Sequence, residues 1–178
     1  MKFVLASQNQ HKLKEMQDIL SAQGVEVVLE SDIGLHVEVE ETGSTFAENA
    51  LLKAKAVMEA SGLPAIADDS GVCVDALNGA PGVYSARYGG PELDDIQRYQ
   101  LLLQALRGQT NRAAHFTSHI TCCFPNGDVI DAEGICPGTI AFAPQGTGGF
   151  GYDPVFFVPQ PRKTYAQLTP EEKAAVSH

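Results

Sequence analysis

The sequence has 178 residues, 44% of them apolar and 19% charged, the composition of a single globular domain (residues 1–178) with enough chain to bury a core. Its 22 acidic against 12 basic side chains leave a net charge of −10, so the surface has no general attraction for polymeric nucleic acid or an anionic membrane, and an anionic ligand must be met by a local lysine cluster or a metal ion. Cys73, Cys122, Cys123 and Cys136 contain no C-x-x-C pair and read as reduced thiols of a cytoplasmic protein, Phe3-Val4-Leu5-Ala6 is too short for a signal peptide, and no apolar run approaches a membrane helix.

In chain order, Lys2 to Ala6 reads as a strand and Ser7-Gln8-Asn9-Gln10 as a polar loop. A helix follows with Leu13, Met16, Ile19 and Leu20 spaced for one buried face. Lys12 and Lys14 sit in its first turn, where they oppose the helix dipole, an arrangement suited to an anion bound in front of the exposed N–H groups; simple solvation of the two lysines fits the charge pattern equally well. Val25 to Leu29 is a second strand. Past the acidic stretch Glu38-Val39-Glu40-Glu41-Thr42-Gly43, Thr45 and Glu48 form a capping box. The helix behind it buries Phe46, Ala50, Leu51, Ala54, Val57 and Met58 and is closed by Gly62 and Pro64. Lys53 lies at the edge of that stripe, placed either to snorkel or to point into a cleft.

Ala65-Ile66-Ala67-Asp68-Asp69-Ser70-Gly71 is the stretch with the most chemistry. It reads as a short buried strand running into two carboxylates, a hydroxyl and a glycine. Asp, Ser and Gly also form turns, so alone it is compatible with a solvated turn. Two acids at the end of a buried strand need a partner, and Mg²⁺ is the hard cation that carboxylate oxygens suit. Val72-Cys73-Val74 reads as another strand, Gly79-Ala80-Pro81-Gly82 as a turn, and Leu93 to Leu106 as a helix with Ile96, Tyr99, Leu102, Leu103 and Leu106 inward. From His115 to Phe124 the alternation puts Phe116, Ile120, Cys122 and Phe124 on a buried face and His115, Thr117, His119 and Thr121 on an exposed polar one. Pro125-Asn126-Gly127-Asp128 turns into a strand over Val129–Ile135.

Gly146-Thr147-Gly148-Gly149-Phe150-Gly151 fits G-x-G-x-x-G, yet Pro144 precedes it and Tyr152 to Val158 reads as a strand, so it does not open a helix and is no dinucleotide fingerprint. It reads as a loop presenting Phe150, Tyr152 and Asp153. Thr169-Pro170-Glu171-Glu172 starts a last helix. Alternating strands and helices, then a hairpin and extended segments, predict a mixed sheet covered by helices with loops from both halves meeting over a cleft. Lysines, paired carboxylates and a metal are what phosphoryl chemistry requires, so the residues point to metal-assisted hydrolysis of a phosphorylated small molecule.

These motifs, in this order, resemble the inosine triphosphate pyrophosphatase family, which hydrolyses non-standard purine nucleoside triphosphates. The resemblance is carried by Ser7-Gln8-Asn9-Gln10-His11-Lys12, Glu40-Glu41-Thr42-Gly43-Ser44-Thr45-Phe46, Glu48-Asn49-Ala50, Lys53-Ala54, Ala67-Asp68-Asp69-Ser70-Gly71, Gly79-Ala80-Pro81-Gly82, Tyr84-Ser85-Ala86-Arg87-Tyr88, Gly148 through Pro154 and Ser177-His178. It implies an α/β fold, an elongated mixed β-sheet flanked by helices with two lobes around a central cleft, and a homodimer. It also implies hydrolysis of ITP, dITP and XTP to the monophosphate and pyrophosphate with Mg²⁺, cleaning the nucleotide pool.

By position, the resemblance implies that Ser7, Gln8, Asn9, Gln10, His11 and Lys12 hold the triphosphate, helped by Lys53. Glu41 and Asp69 would bind the metal, with Asp68 close by. Asp69 would be the base that activates the attacking, Mg²⁺-bound water, and Ser70 a substrate contact. Phe150 would stack on the base with Gly151, Tyr152 and Asp153 around it, and Lys163 and His178 would read the purine edge. Two departures stand out. Gln8 and His11 replace small residues usual in the first loop. The family pattern also runs on through Arg into a full helix after His178, so the expectation is a shortened C-terminal helix and weaker discrimination of inosine from adenosine triphosphate. A related pyrophosphatase of pyrimidine or modified triphosphates, and a nucleotide-binding protein without catalysis, are the competing readings; intact Lys12, Lys53, Asp68 and Asp69 speak against the second.

Overall fold

A computed structural model describes residues 1–177. In chain order the elements are β1 (Lys2–Leu5), α1 (Gln10–Leu20), β2 (Glu26–Leu29), α2 (Phe46–Ser61), β3 (Ala65–Val74), α3 (Asp95–Ala105), β4 (Ala113–Cys123), β5 (Val129–Ile140), β6 (Phe156–Val158), β7 (Lys163–Thr164) and α4 (Pro170–Val176), joined by loops and short 3₁₀ turns. The strands form one mixed seven-stranded sheet in the order β2-β1-β3-β4-β5-β6-β7. β1 runs parallel to β2 and β3, as strand–helix–strand crossovers dictate, whereas β6 pairs antiparallel with β5 and β7. This is the α/β mixed sheet with flanking helices that the sequence predicts. Among the described residues no helix is long and apolar enough to cross a membrane.

The chain divides into two compact units. The first comprises Met1–Asp69 and His119–Glu133. Its core joins Leu5, Leu13, Val27, Leu29, Ile66 and Cys122 on one side of the strands, and Val4, Val57 and Ala65 with Ala54, Ala67 and Cys123 on the other. Cys122 and Cys123 face opposite ways, as neighbours on a strand must, and all four cysteines are free thiols. The second unit comprises Ser70–Ser118 and the residues from Gly134 on. It is built around Val72, Val74, Leu102, Leu106, Val155 and three packed rings, with Phe116 edge-on to Phe156 at 4.7 Å and stacked on Tyr165 at 5.4 Å.

Several details depart from the sequence reading. β3 does not break at the acids: one ten-residue strand runs through Asp68, Asp69 and Gly71 to Val74. Gly71 therefore makes no turn. It is there because a Cβ would collide with the carbonyl of Gly82 and the hydroxyl of Ser85. On β4 the polar alternates Thr117, His119 and Thr121 are buried, not exposed. His119 is matched there by Asp131, 2.8 Å away on β5. Tyr152 to Val155 are turns and only Phe156–Val158 is strand. Ile19, Ile96 and Leu51 are exposed although their helical spacing places them on apolar stripes. The capping box of α2 is shifted: Thr45 Oγ1 accepts from Glu48 N–H, while Glu48 Oε2 accepts from Ser44 N–H rather than from the cap residue.

Candidate active site

In the first unit, the loop after β1 is held by its own side chains. Ser7 Oγ accepts from Asn9 N–H at 3.0 Å, and Asn9 Oδ1 accepts from the N–H groups of His11 (2.9 Å) and Lys12 (3.3 Å), capping α1. The N–H groups of Asn9, His11 and Lys12 are thus already engaged by side chains, and of the two first-turn lysines, Lys12 and Lys14, the one paired with an acid of β3 is Lys12. Its ammonium lies 3.0 Å from Asp68 Oδ1. Gln8 donates to Glu30 Oε1 at 2.8 Å; Glu30 is buried, and burial raises its pKa. Gln10 and His11 are exposed at the start of α1.

Successive residues of a strand point to opposite faces, and the two aspartates of β3 are met by lysines from different helices. Asp68 takes Lys12 of α1. Lys53 of α2 donates to the main-chain carbonyl of Asp68 at 2.7 Å and stands 3.5 Å from Asp69 Oδ1 and 3.3 Å from Glu41 Oε1. Lys53 thus points inward to the acids rather than snorkelling. Asp69 is buried, and its pKa is pushed up to about 6: desolvation is the main cause, Glu41 and Asp68 add to it, and Lys53 and Asn49 oppose it. Its Oδ2 has no hydrogen-bond partner. Among the described residues no three His, Cys, Asp or Glu side chains converge into a ready-made metal cage.

In the second unit, Gly148 to Asp153 form a loop pinned at both ends. Gly148 N–H donates to Ala166 O, and Ala166 N–H donates to Asp153 O. Asp153 is buried, and its Oδ2 accepts from Phe150 N–H at 3.1 Å and from Lys173 Nζ at 2.8 Å. Gly149 has φ +70°, and a Cβ there would strike the same carboxylate. Phe150 is half-buried, with Lys173 Nζ 5.0 Å from its ring centroid and 5.7 Å from that of Tyr165. Gly151 N–H donates to Asp95 Oδ2 at 3.1 Å. Tyr152 is buried, with its hydroxyl donating to Ser85 O at 2.7 Å. Lys163 is held by both oxygens of Glu172 at 3.2 and 3.3 Å. Ser70 follows Asp69 on β3 and is half-buried. His178 lies outside the described residues.

A sequence profile of the Ham1 family matches residues 3–178. The chain belongs to the Ham1 family. The chain is 48% identical over its whole length to a dITP/XTP pyrophosphatase of Exiguobacterium sp., covering 91% of that protein. It is 51% identical, over 98% of its length and 87% of the relative, to a dITP/XTP pyrophosphatase of Nostoc sp.. Two solved Ham1 structures share the fold over the full chain, each 43% identical and 92% covered: the Staphylococcus aureus Ham1 protein, with a TM-score of 0.90, and a HAM1 protein from Coxiella burnetii, with 0.92.

In this Ham1 chain the structure gathers Lys12, Glu41, Lys53, Asp68 and Asp69 in the first unit and Phe150 and Asp153 in the second, it places Lys163 on Glu172, and it adds two residues to which the sequence reading gives no role. Lys173 is the cation beside Phe150; it follows the helix-start motif directly, where a lysine is normally solvent-facing. Asn49 is fully buried on α2 among Ala50, Ala54 and Val57. Its signal was present: a polar residue inside an apolar stripe, one helical turn before Lys53.

Proposed function

We propose that this chain is a nucleoside triphosphate pyrophosphatase that hydrolyses dITP, XTP and ITP to the monophosphate and pyrophosphate. The observation that carries the reading is the first unit's cluster, in which Lys12 and Lys53 lie between Glu41, Asp68 and an Asp69 with one unpartnered buried oxygen. The names and full-length similarity of the Ham1 relatives support the same activity.

Asp69 is the proposed base. A carboxylate whose pKa is about 6 is ionised near neutral pH yet basic enough to take a proton from water as it attacks the phosphate chain. Cleavage between the first and second phosphates then leaves the monophosphate and releases pyrophosphate. Lys12 and Lys53 neutralise phosphate oxygens, exchanging their carboxylate partners for the substrate's charge. Glu41 and Asp69, both beside Lys53, are hard oxygen donors, and the orphaned Asp69 Oδ2 gives a cation an unused ligand, so these two residues, with Asp68 close by on the same strand, suit Mg²⁺. Mg²⁺, when bound, would supply charge neutralisation of the triphosphate.

Phe150 offers the face on which the purine stacks, and Asp153 holds it in place through the Phe150 N–H. Lys173 and Lys163 are the cations of that unit suited to a 6-keto oxygen, which adenine lacks. Ser70, Gly151 and Tyr152 belong to the same substrate-binding set, with Tyr152 acting through the wall it forms with Ser85. The reading includes a homodimer working in the cytoplasm on the free nucleotide pool.

The test is a steady-state comparison of dITP, XTP, ITP, GTP and ATP with Mg²⁺, with the products resolved. The expected result is kcat/KM for the first three above that for ATP by about 10² or more, with pyrophosphate as the leaving product. Equal rates on all five, or release of orthophosphate, would overturn the reading.

A further inference from the structure

Asn49 has no assigned part in the site, and its surroundings are not those of a satisfied core residue. It is fully buried on α2, and its two polar atoms have different fates. Oδ1 accepts from Gly43 N–H at 2.8 Å, which fastens the acidic loop carrying Glu41 to the helix carrying Lys53. Position 43 admits only glycine for this contact, since a Cβ would lie 2.7 Å from that oxygen and 2.6 Å from Glu48 Cβ. Nδ2 is buried with no hydrogen-bond partner, and so is Asp69 Oδ2. Asn49 lies one helical turn before Lys53, whose ammonium stands 3.5 Å from Asp69 Oδ1.

A buried donor and a buried acceptor left unsatisfied are costly, and each such group in a native structure calls for an explanation. We infer that Asn49 is a positioning residue for the reaction: its Oδ1 fixes the Glu41 loop, and its Nδ2 orients the Asp69 carboxylate, directly or through one shared water, so that Oδ2 is presented to the attacking water. The inference rests on the reading of Asp69 as the base. The amide suits this place because it is uncharged. It adds an uncharged donor on the side of a carboxylate that Lys53 already pairs.

The experiment separates the two halves of the side chain. N49D keeps the acceptor for Gly43 N–H and loses the donor; N49L loses both. With dITP and Mg²⁺, N49D is expected to lower kcat by about tenfold or more with KM within about threefold of the parent, the split produced by loss of an interaction needed for the chemical step. A purely structural role through Gly43 would leave N49D near the parent and impair N49L alone, and that pattern overturns the inference. Melting of the metal-free protein gives a second readout. N49L and D69N are expected to be non-additive in Tm, as changes to groups in contact are, and additivity would overturn the contact. D69N run alongside keeps the failures distinct: an active D69N removes the base itself, whereas an inactive D69N beside an unimpaired N49D removes only the role of Asn49.

Discussion

Lys53 Nζ donates to the carbonyl of Asp68 at 2.7 Å while standing 3.5 Å from the carboxylate of Asp69, so a single ammonium holds the backbone of one acid and the side-chain charge of the next. The same ammonium is 3.3 Å from Glu41, which brings the otherwise irregular acidic loop to the strand. The strand sets the direction of the acids, and the helix supplies the countercharge that lets two of them sit at a buried position.

Lys53→Met keeps the stem and removes the charge. Glu41 and Asp69 then face each other with no cation between them, and a proposed phosphate contact is lost. The expected outcome is a fall in kcat/KM of about 10² or more, measured on dITP with Mg²⁺. The metal-free variant should also melt below the parent at pH 8. A variant with parental kcat/KM would show that Lys53 serves stability alone.

Asp69→Asn tests the base and the linkage together. Loss of general-base action lowers kcat by about 10² to 10⁴. Stability should move the other way. The folded pKa is about 6 against an ordinary value of 3.8, so between these pH values the native state binds more protons than the unfolded chain, and stability falls as pH rises through the window. Above it, the ionised carboxylate costs at most about 3 kcal/mol, less whatever residual solvent screens. Asn carries no such cost. The metal-free D69N protein should therefore gain Tm over the parent at pH 8 and little at pH 4. A Tm difference that does not change with pH would remove the shift.

The first unit was largely readable from sequence because each of its functional parts is local. A capped helix carries Lys12, a second carries Lys53, and a strand carries Asp68-Asp69. Their convergence was not readable, since it depends on strand order: β3 lies beside β1, so the loop after β1 and the acids of β3 are brought together by pairing in the sheet. The strand through Gly71 was missed because a glycine excluded by close backbone approach looks in sequence like a turn former. The polar face of β4 was missed for a related reason. Alternation shows which face is apolar, and it does not show that the polar face is covered as well. In the second unit the sequence singles out Asp153, but its bonds to Phe150 N–H and Lys173 can be learned only from α4 packing back on the loop.

Metal removal tests the oxygen donors. Mg²⁺ that binds the native cluster and not the unfolded chain raises stability by RT ln(1 + [L]/Kd), about 2.7 kcal/mol at a hundredfold excess over Kd. Melts of the parent at pH 8 should shift upward on adding Mg²⁺ and return with chelator, and turnover should follow the same cycle. The upward shift should be smaller in D69N, which has lost one anionic ligand. Full turnover in excess chelator would overturn the assignment of Glu41, Asp68 and Asp69 to a cation.

Asp153→Ala separates holding the base from reacting with the phosphates. In the structure Asp153 is buried and its Oδ2 joins Phe150 N–H to Lys173 Nζ. Truncation leaves a half-buried ammonium and a main-chain N–H without that acceptor, and it frees the Phe150 ring from the geometry set by Gly149. None of these atoms is part of the lysine–carboxylate cluster of the first unit. The change should therefore act on binding of the purine more than on the chemical step: KM for dITP rises by about tenfold or more, while kcat falls by less. Selectivity should fall too, because a ring and a cation no longer fixed cannot favour a 6-keto base over adenine as strongly. Asp153→Asn keeps an acceptor for Phe150 N–H and loses the charge opposite Lys173, so it should fall between the parent and the alanine variant. The measurement is kcat and KM for dITP and ATP in all three proteins. A loss confined to kcat with an unchanged dITP-to-ATP ratio would place Asp153 in the chemistry instead of the base pocket.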